Sequence, residues 1–299
     1  MILILLLSAL ALASAIFALA LGAAIRRRPT APALEGVALS AVTSFFDALG
    51  IGCFAPTTAY FKFRRLVPDE LIPATMITGY ALAASTEGFV FITAVQVDPL
   101  LLGASITASV LGAVLGVSIA ARLPVTPIRL TLGLGLLIAA ATFALSNLGL
   151  MPHGGAATSL PPLLAAVVVA ASFALGILMN LGIGNFAPTL ILVSLLGMDP
   201  RAAFPIMMGS AALLMVTSGA RIVSARPLNL ALVLGMTLGG IPAVLVAALI
   251  VRSLPLEALR WGVVAVVTYA GAVMLHAAVV RRSAPAVADA EETGAGLPG

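Results

Sequence analysis

Two acidic residues lie deep inside long apolar stretches of this 299-residue chain. Asp47 is three residues ahead of a Gly-x-Gly sequence, and Glu87 is two-thirds of the way along the apolar stretch 71–95. Ionisable groups at membrane depth are costly and usually serve a function. The sequence therefore predicts that Asp47 and Glu87 can take up and release protons. The alternative is a structural role, with each carboxyl neutralised by neighbouring hydroxyls such as that of Thr86.

A nine-residue phrase beside Asp47 occurs twice, as LGIGCFAPT at 49–57 and LGIGNFAPT at 181–189. Its glycines permit positive φ angles, and its proline suits the first turn of a new helix. Such a half-helix directs free N–H groups and a positive dipole end at its neighbour, which favours an anion. The phrase thus predicts a duplicated anion site. A pair of kinks that allow tight helix packing is the alternative.

The candidate substrate-binding residues lie in the two phrases and on the later stretch 201–222. They are Gly50, Gly52, Cys53, Phe54, Pro56, Thr57, Gly182, Gly184, Asn185, Phe186, Pro188, Thr189, Met208 and Arg221. Cys53 and Asn185 form the one mismatch between the phrases, so we expect selectivity there. Arg221 could pair with Glu87, bind an oxyanion or extend to the surface. No hydrolase, nucleotide or zinc motif occurs, so we expect no catalytic residue, metal or cofactor, and no enzyme activity.

The composition indicates an integral membrane protein. Hydrophobic residues make up 62% of the chain, charged residues 9%, and the mean hydropathy is +1.20. Apolar runs long enough to cross a bilayer recur along the chain, and the basic residues lie mainly in the short loops between them. We therefore expect the lipid bilayer and a small anionic substrate as partners, and no nucleic acid. The sequence is compatible with a homo-oligomer.

The repeat extends well beyond the phrase and divides the chain into four parts. Pro68 and Pro73 match Pro200 and Pro205 at the same spacing as the two phrases, and Met76 matches Met208. The predicted parts are an extra N-terminal span at 1–28, a first repeat at 35–148, a second repeat at 161–282 and a disordered tail at 283–299.

The distribution of basic residues predicts how the two halves are oriented. If both phrase-bearing stretches return to their starting side, twelve basic residues face the cytoplasm, Arg26 to Arg28 among them, and three lie outside. If both stretches cross, the split is seven to eight, without the usual bias. The predicted fold is therefore an all-α polytopic bundle of two inverted repeats with broken or re-entrant helices, plus the extra span. One returning and one crossing stretch, with eleven against four, is the alternative.

These features resemble the sulfite exporter TauE/SafE family over about residues 35–280. The resemblance rests on Phe46, Asp47, the first Gly-x-Gly turn with its proline, Asn180 before the second turn, and the duplicated four-segment unit. It implies a permease of the bacterial inner membrane that carries sulfite, sulfonates such as sulfoacetate, or related small organic anions.

The chain departs from the family pattern after the first broken segment. An Ala-Thr-Asn-Lys-like motif is replaced there by residues 74–77, which read Ala-Thr-Met-Ile, and the second half has Met207 and Met208 near the corresponding place. A pocket edged by Met76, Met207, Met208 and the phenylalanines of the phrases fits a larger or more apolar anion than sulfite.

The leading hypothesis is a secondary carrier with alternating access, coupled to protons. A passive channel for anions or neutral solutes is the first alternative, and a non-transporting scaffold or accessory subunit is the second.

Overall fold

The computed structural model describes residues 1–49, 52–68, 71–115, 125–149, 155, 157–179, 185–225, 227–253 and 256–283. Its described elements are helices, apart from an isolated bridge between Ala157 and Met198. The helices are α1 (Ile2–Arg27), α2 (Leu34–Ala48), α3 (Phe54–Arg64), α4 (Ile72–Ala94), α5 (Pro99–Leu115), α6 (Val125–Asn147), α7 (Pro162–Met179), α8 (Phe186–Leu195), α9 (Ala203–Ala225), α10 (Leu230–Ser253) and α11 (Leu256–Ser283), with a 3₁₀ helix at Pro200–Ala202.

Four helical segments in the described part of the chain are long and apolar enough to cross a membrane. They are Ile2–Arg27, Pro162–Met179, Pro200–Ala225 and Leu230–Ile250. The protein is thus all-α with the helices of a membrane protein, as its composition predicts.

The centre of the bundle is the antiparallel pair α4 and α9. A Cβ placed on Gly88 of α4 would lie 3.0 Å from the Cβ of Ala212 on α9, and Gly219 lies opposite Ala81 in the same way. Near one end of the pair, the rings of Phe91 and Phe204 stack with centroids 5.1 Å apart. Small residues allow the two backbones to approach closely, which is how helices gain packing energy in lipid.

Helix α10 runs parallel to α4 on one side of this pair. Gly79 contacts Met236, and one turn later Gly240 contacts Ala83. The hydroxyl of Thr237 donates a hydrogen bond to the carbonyl of Gly79 at 3.2 Å.

Helix α2 also runs parallel to α10 and packs on it through glycines. Gly36 at the start of α2 contacts Leu232. Val37 lies so close to Gly239 that a Cβ added to Gly239 would overlap the carbonyl oxygen of Val37. Since α2 and α4 are both parallel to α10, the chain must reverse its direction twice between α2 and α4.

The first reversal is a hairpin made by α2 and α3. Glu35, at the start of α2, accepts hydrogen bonds from the Tyr60 hydroxyl at 2.8 Å and from Arg64 Nε at 2.9 Å. Both partners lie in the second half of α3, so α3 ends where α2 begins. The described part of the first phrase, residue 49 and residues 52–57, therefore lies at the turning end of the hairpin and at the start of its return arm.

A second hairpin is made by α7 and α8. The N–H of Asp199, just after α8, donates to the carbonyl of Ala157, just before α7, at 2.9 Å. Its arms have 18 and 10 residues. Helix α7 runs parallel to α5, with Gly112 against Phe173.

Helix α1 packs across α4 and α9 from outside. Phe17 is fully buried against Gly219, and Ser14 Oγ lies 2.5 Å from Ser85 Oγ. Helices α6 and α11 form a further antiparallel pair through Gly133 and Gly271. Of the predicted tail, Ser283 is the last residue of α11, and residues 284–299 lie outside the described part.

The tight glycine contacts predict which glycines the fold requires. A methyl group on Gly112 or Gly239 would overlap a carbonyl oxygen of the neighbouring helix. Overpacking costs about 1–3 kcal/mol and outweighs the roughly 1 kcal/mol gained in helix propensity. Gly112→Ala and Gly239→Ala should therefore lower the melting temperature of the detergent-purified protein.

Gly135→Ala is the matched control, because no atom lies within 4 Å of its added methyl group. A melting temperature in the first two variants equal to that of Gly135→Ala would contradict the helix packing described here.

Candidate functional site

The first helix break lies between Ala48 and Phe54. Gly52 has φ +89°, a conformation that favours glycine, and a Cβ there would meet no atom within 4 Å. Glycine is therefore required by the backbone and not by crowding, and space is open beside it. Cys53 is the N-cap residue of α3 and makes no side-chain capping hydrogen bond. Gly50 lies outside the described residues.

Asp47 supplies the cap that Cys53 lacks. Its carboxylate oxygen Oδ1 accepts a hydrogen bond from the backbone N–H of Cys53 at 2.8 Å, and its side chain is buried. A carboxylate in this position satisfies an N–H group that has no partner within the helix and lies at the positive end of the dipole of α3. Part of the predicted anion site is thus occupied by a side chain of the protein.

Tyr80 on α4 forms hydrogen bonds with both arms of the first hairpin. Its hydroxyl lies 2.6 Å from Thr43 Oγ1 on α2 and 2.5 Å from Thr57 Oγ1 on α3. Thr43 donates its own proton to the carbonyl of Leu39, so Tyr80 donates to Thr43 and accepts from Thr57. The sequence-based selection omitted Tyr80, although a tyrosine inside an apolar stretch is a signal that could have identified it.

Glu87 is the least satisfied polar group of the site. It is 1% exposed, and neither carboxyl oxygen has a hydrogen-bond partner among the described residues. It lies seven residues after Tyr80, on the same face of α4, and interacts electrostatically with Asp47. The Thr86 hydroxyl donates to the carbonyl of Leu82 at 2.8 Å, so it does not neutralise Glu87.

The second half-helix has no counterpart of Asp47. Asn185 is its buried N-cap residue and makes no side-chain capping bond. The residue that aligns with Asp47 is Met179. Phe186, Pro188 and Thr189 are buried in the first turn of α8, whereas Gly182 and Gly184 lie outside the described residues.

The prolines of both phrases occupy the third helical position. Pro56 and Pro188 each follow two residues whose N–H groups have no partner within the helix. Each half-helix therefore begins with two such backbone donors. Phe54, the first residue of α3, stacks on Tyr80 with ring centroids 6.4 Å apart.

The remaining candidates lie apart from this cluster. Met208 is fully buried where α9 meets α4, and its carbonyl oxygen would lie 3.7 Å from a Cβ on Gly88. Arg221 is exposed on α9 and makes no hydrogen bond to Glu87. The structure thus brings together Asp47, Cys53 and Thr57 with Glu87 and Tyr80, and it leaves Arg221 outside.

Two cavities lie toward opposite ends of α9, away from the first helix break. One, of about 280 Å³, is lined by Gln96, Asp199 and Arg201, and the other, of about 390 Å³, by Arg27 and Arg28. Within the described residues, no group of three or more His, Cys, Asp or Glu side chains could hold a metal ion.

Comparison with known proteins gives no relative from which a function could be transferred. No protein family model, curated protein or solved structure matches the chain.

The Tyr80 contacts predict that this hydroxyl holds the first hairpin closed. Cys53 is the only cysteine and is buried, so its modification by a maleimide reports opening of the hairpin. Removing a buried hydrogen-bonding partner costs about 1–3 kcal/mol, so Tyr80→Phe should speed labelling about tenfold. Tyr269→Phe, at an exposed tyrosine of α11, is the control and should change nothing. Equal labelling rates in the two variants would show that Tyr80 does not fasten the hairpin.

Proposed function

We propose that this protein is a secondary carrier for small anions, with alternating access between two inverted halves and with coupling to protons. The observation that carries the proposal is the buried pair of carboxyls, Asp47 and Glu87, beside the N-terminus of a half-helix. The resemblance to the TauE/SafE family points to the same class of function, in a bacterial inner membrane with Arg26 to Arg28 on the cytoplasmic side.

The directions of the helices support inverted halves. In the proposed repeat, α4 corresponds to α9 and α6 to α11, and both pairs are antiparallel. An axis in the membrane plane reverses the direction of every helix, whereas an axis along the membrane normal preserves it. The contacts between helices are repeated in the same way. Helix α7 corresponds to α2, and α5 corresponds to α10. Helix α2 packs on α10, and α7 packs on α5.

The lengths of the hairpin arms support re-entrant segments. Helix α3 has 11 residues and α8 has 10. At 1.5 Å per residue they extend about 15–17 Å, roughly half of a hydrocarbon core of about 30 Å. These two return arms are each too short to cross the core alone, which supports the proposal that the hairpins turn back at membrane depth. Non-helical backbone persists at that depth only when it is buried in protein or lines an aqueous cavity.

The two half-helices are proposed to have different roles. Asp47 already accepts the N–H of Cys53 at the start of α3, whereas Met179 leaves α8 without a carboxylate. An incoming anion is therefore favoured at the start of α8, near Asn185. Two buried carboxyls without a counter-charge among the described residues are most stable with at least one proton bound, so the half with Asp47 and Glu87 supplies the proton.

The proposed substrates are sulfonates such as sulfoacetate and related organic anions, with sulfite included. Met76, Met207 and Met208 are all buried and provide a flexible apolar surface. Neither the amide nor the lysine of the family motif is present after the first hairpin. In a thermal-shift screen of sulfite, sulfoacetate, thiosulfate and small carboxylates, the organic anions should stabilise the protein most. An absence of stabilisation by every anion would oppose the proposal.

The open space beside Gly52 predicts that a bulky side chain there blocks transport. Gly52→Leu should abolish uptake of the stabilising anion into proteoliposomes, and Gly184→Leu in the second phrase should do the same. Gly149→Leu is the control for backbone strain, because Gly149 also has positive φ and no atom within 4 Å of an added Cβ. Full uptake by both phrase variants would remove the substrate site from the phrases.

The unpartnered carboxyl of Glu87 predicts its role in coupling. An imposed proton gradient should make the wild-type protein accumulate the anion, whereas Glu87→Gln should only equilibrate it, because the amide cannot release a proton. Glu35→Gln, at the base of the first hairpin, is the matched control and should retain accumulation. Accumulation by Glu87→Gln at the wild-type level would contradict proton coupling through this residue.

A further inference from the structure

A cavity of about 390 Å³ lies where the end of α1 meets the end of α9 and the start of α10. Its wall on α1 is formed by small residues, Ala20 and Ala23 among them, and by Arg27 and Arg28. Val223 and Leu228 are buried on the opposite wall. The cavity therefore has a cationic rim and apolar side chains along part of its wall.

The charge of this rim is not balanced within the described part of the chain. The side chains of Arg27 and Arg28 are exposed, and neither forms a salt bridge with a described acidic residue. Helix α10 begins at Leu230, which also lines the cavity, so the positive end of its dipole adds to the same field. An anionic group is the ligand that this field favours.

An exposed apolar track on α1 leads into the cavity. Ile16 and Leu19 lie one helical turn before Ala20 and Ala23, and they are 52% and 75% exposed. In a bilayer this face of α1 contacts acyl chains. A single molecule with a phosphate at one end and a long apolar chain at the other would satisfy both the arginines and the track.

We propose that this cavity binds the phosphate headgroup of an anionic phospholipid, with an acyl chain along Ile16 and Leu19. The site is separate from the proposed substrate site and does not depend on it. Helix α1 lies outside the repeat, and most of its surface is exposed. A lipid bridging α1 to α9 and α10 therefore stabilises the attachment of this extra helix to the rest of the bundle.

The test measures the melting temperature of the delipidated protein after addition of phosphatidylglycerol, phosphatidylcholine or inorganic phosphate. Phosphatidylglycerol should stabilise the protein most. Arg27→Gln and Arg28→Gln should each weaken its apparent affinity about fivefold, from about 1 kcal/mol per basic residue at a membrane surface. Arg26→Gln, which removes the same charge outside the cavity, is the matched control and should bind as the wild type does.

A second pair of variants tests the cavity without changing charge. Ala23→Leu fills the cavity and should reduce stabilisation by phosphatidylglycerol, whereas Ala18→Leu, on the exposed surface of α1 outside the cavity, should not. Equal stabilisation by phosphatidylcholine, equal stabilisation by inorganic phosphate alone, or an equal loss in Arg26→Gln would each overturn the proposal.

Discussion

Inside a bilayer, the N–H and C=O groups of a broken helix have no water to bind, so every break needs partners within the protein. At the first break of this chain the partner is Asp47, whose carboxylate accepts the N–H of Cys53. The rest of the first hairpin protects this contact. Tyr80 holds both arms against α4, and Glu35 with Arg64 closes the base. The exposed ion pair contributes little energy by itself, whereas the buried hydroxyl contacts are costly to break.

The same constraint gives the two halves different chemistry. One half-helix has an acidic cap and a second buried acid nearby, and the other has a neutral cap and no acid in the aligned position. A carrier that moves an anion with a proton needs both environments close together. A symmetric pair of uncapped helix ends would bind an anion but offer no proton, and a pair capped by carboxylates would repel it. The proposed function follows from this asymmetry more than from the duplication itself.

Composition and the duplicated phrase were enough to predict an all-α membrane protein and the segments that carry its breaks. The charge count favours re-entrant hairpins because loop arginines follow a physical bias, and this orientation in the membrane stays a prediction. Tyr80 was missed because its importance depends on two threonines from different helices, which no local pattern brings together. Arg221 was selected because it could pair with Glu87 or bind an oxyanion, but the direction of its side chain depends on the rotation of α9, which leaves it exposed. The parallel packing of α2 on α10 depends on glycines whose partners lie about 200 residues away.

Counterflow in proteoliposomes distinguishes a carrier with alternating access from a passive channel. Vesicles preloaded with unlabelled substrate anion are diluted into labelled anion, and the uptake of label is followed over time. A carrier with alternating access exchanges faster when substrate is present on both sides, so we expect a transient overshoot of label above equilibrium. Uptake without any overshoot would indicate a passive channel and contradict alternating access, and no uptake of any anion would favour a non-transporting membrane protein.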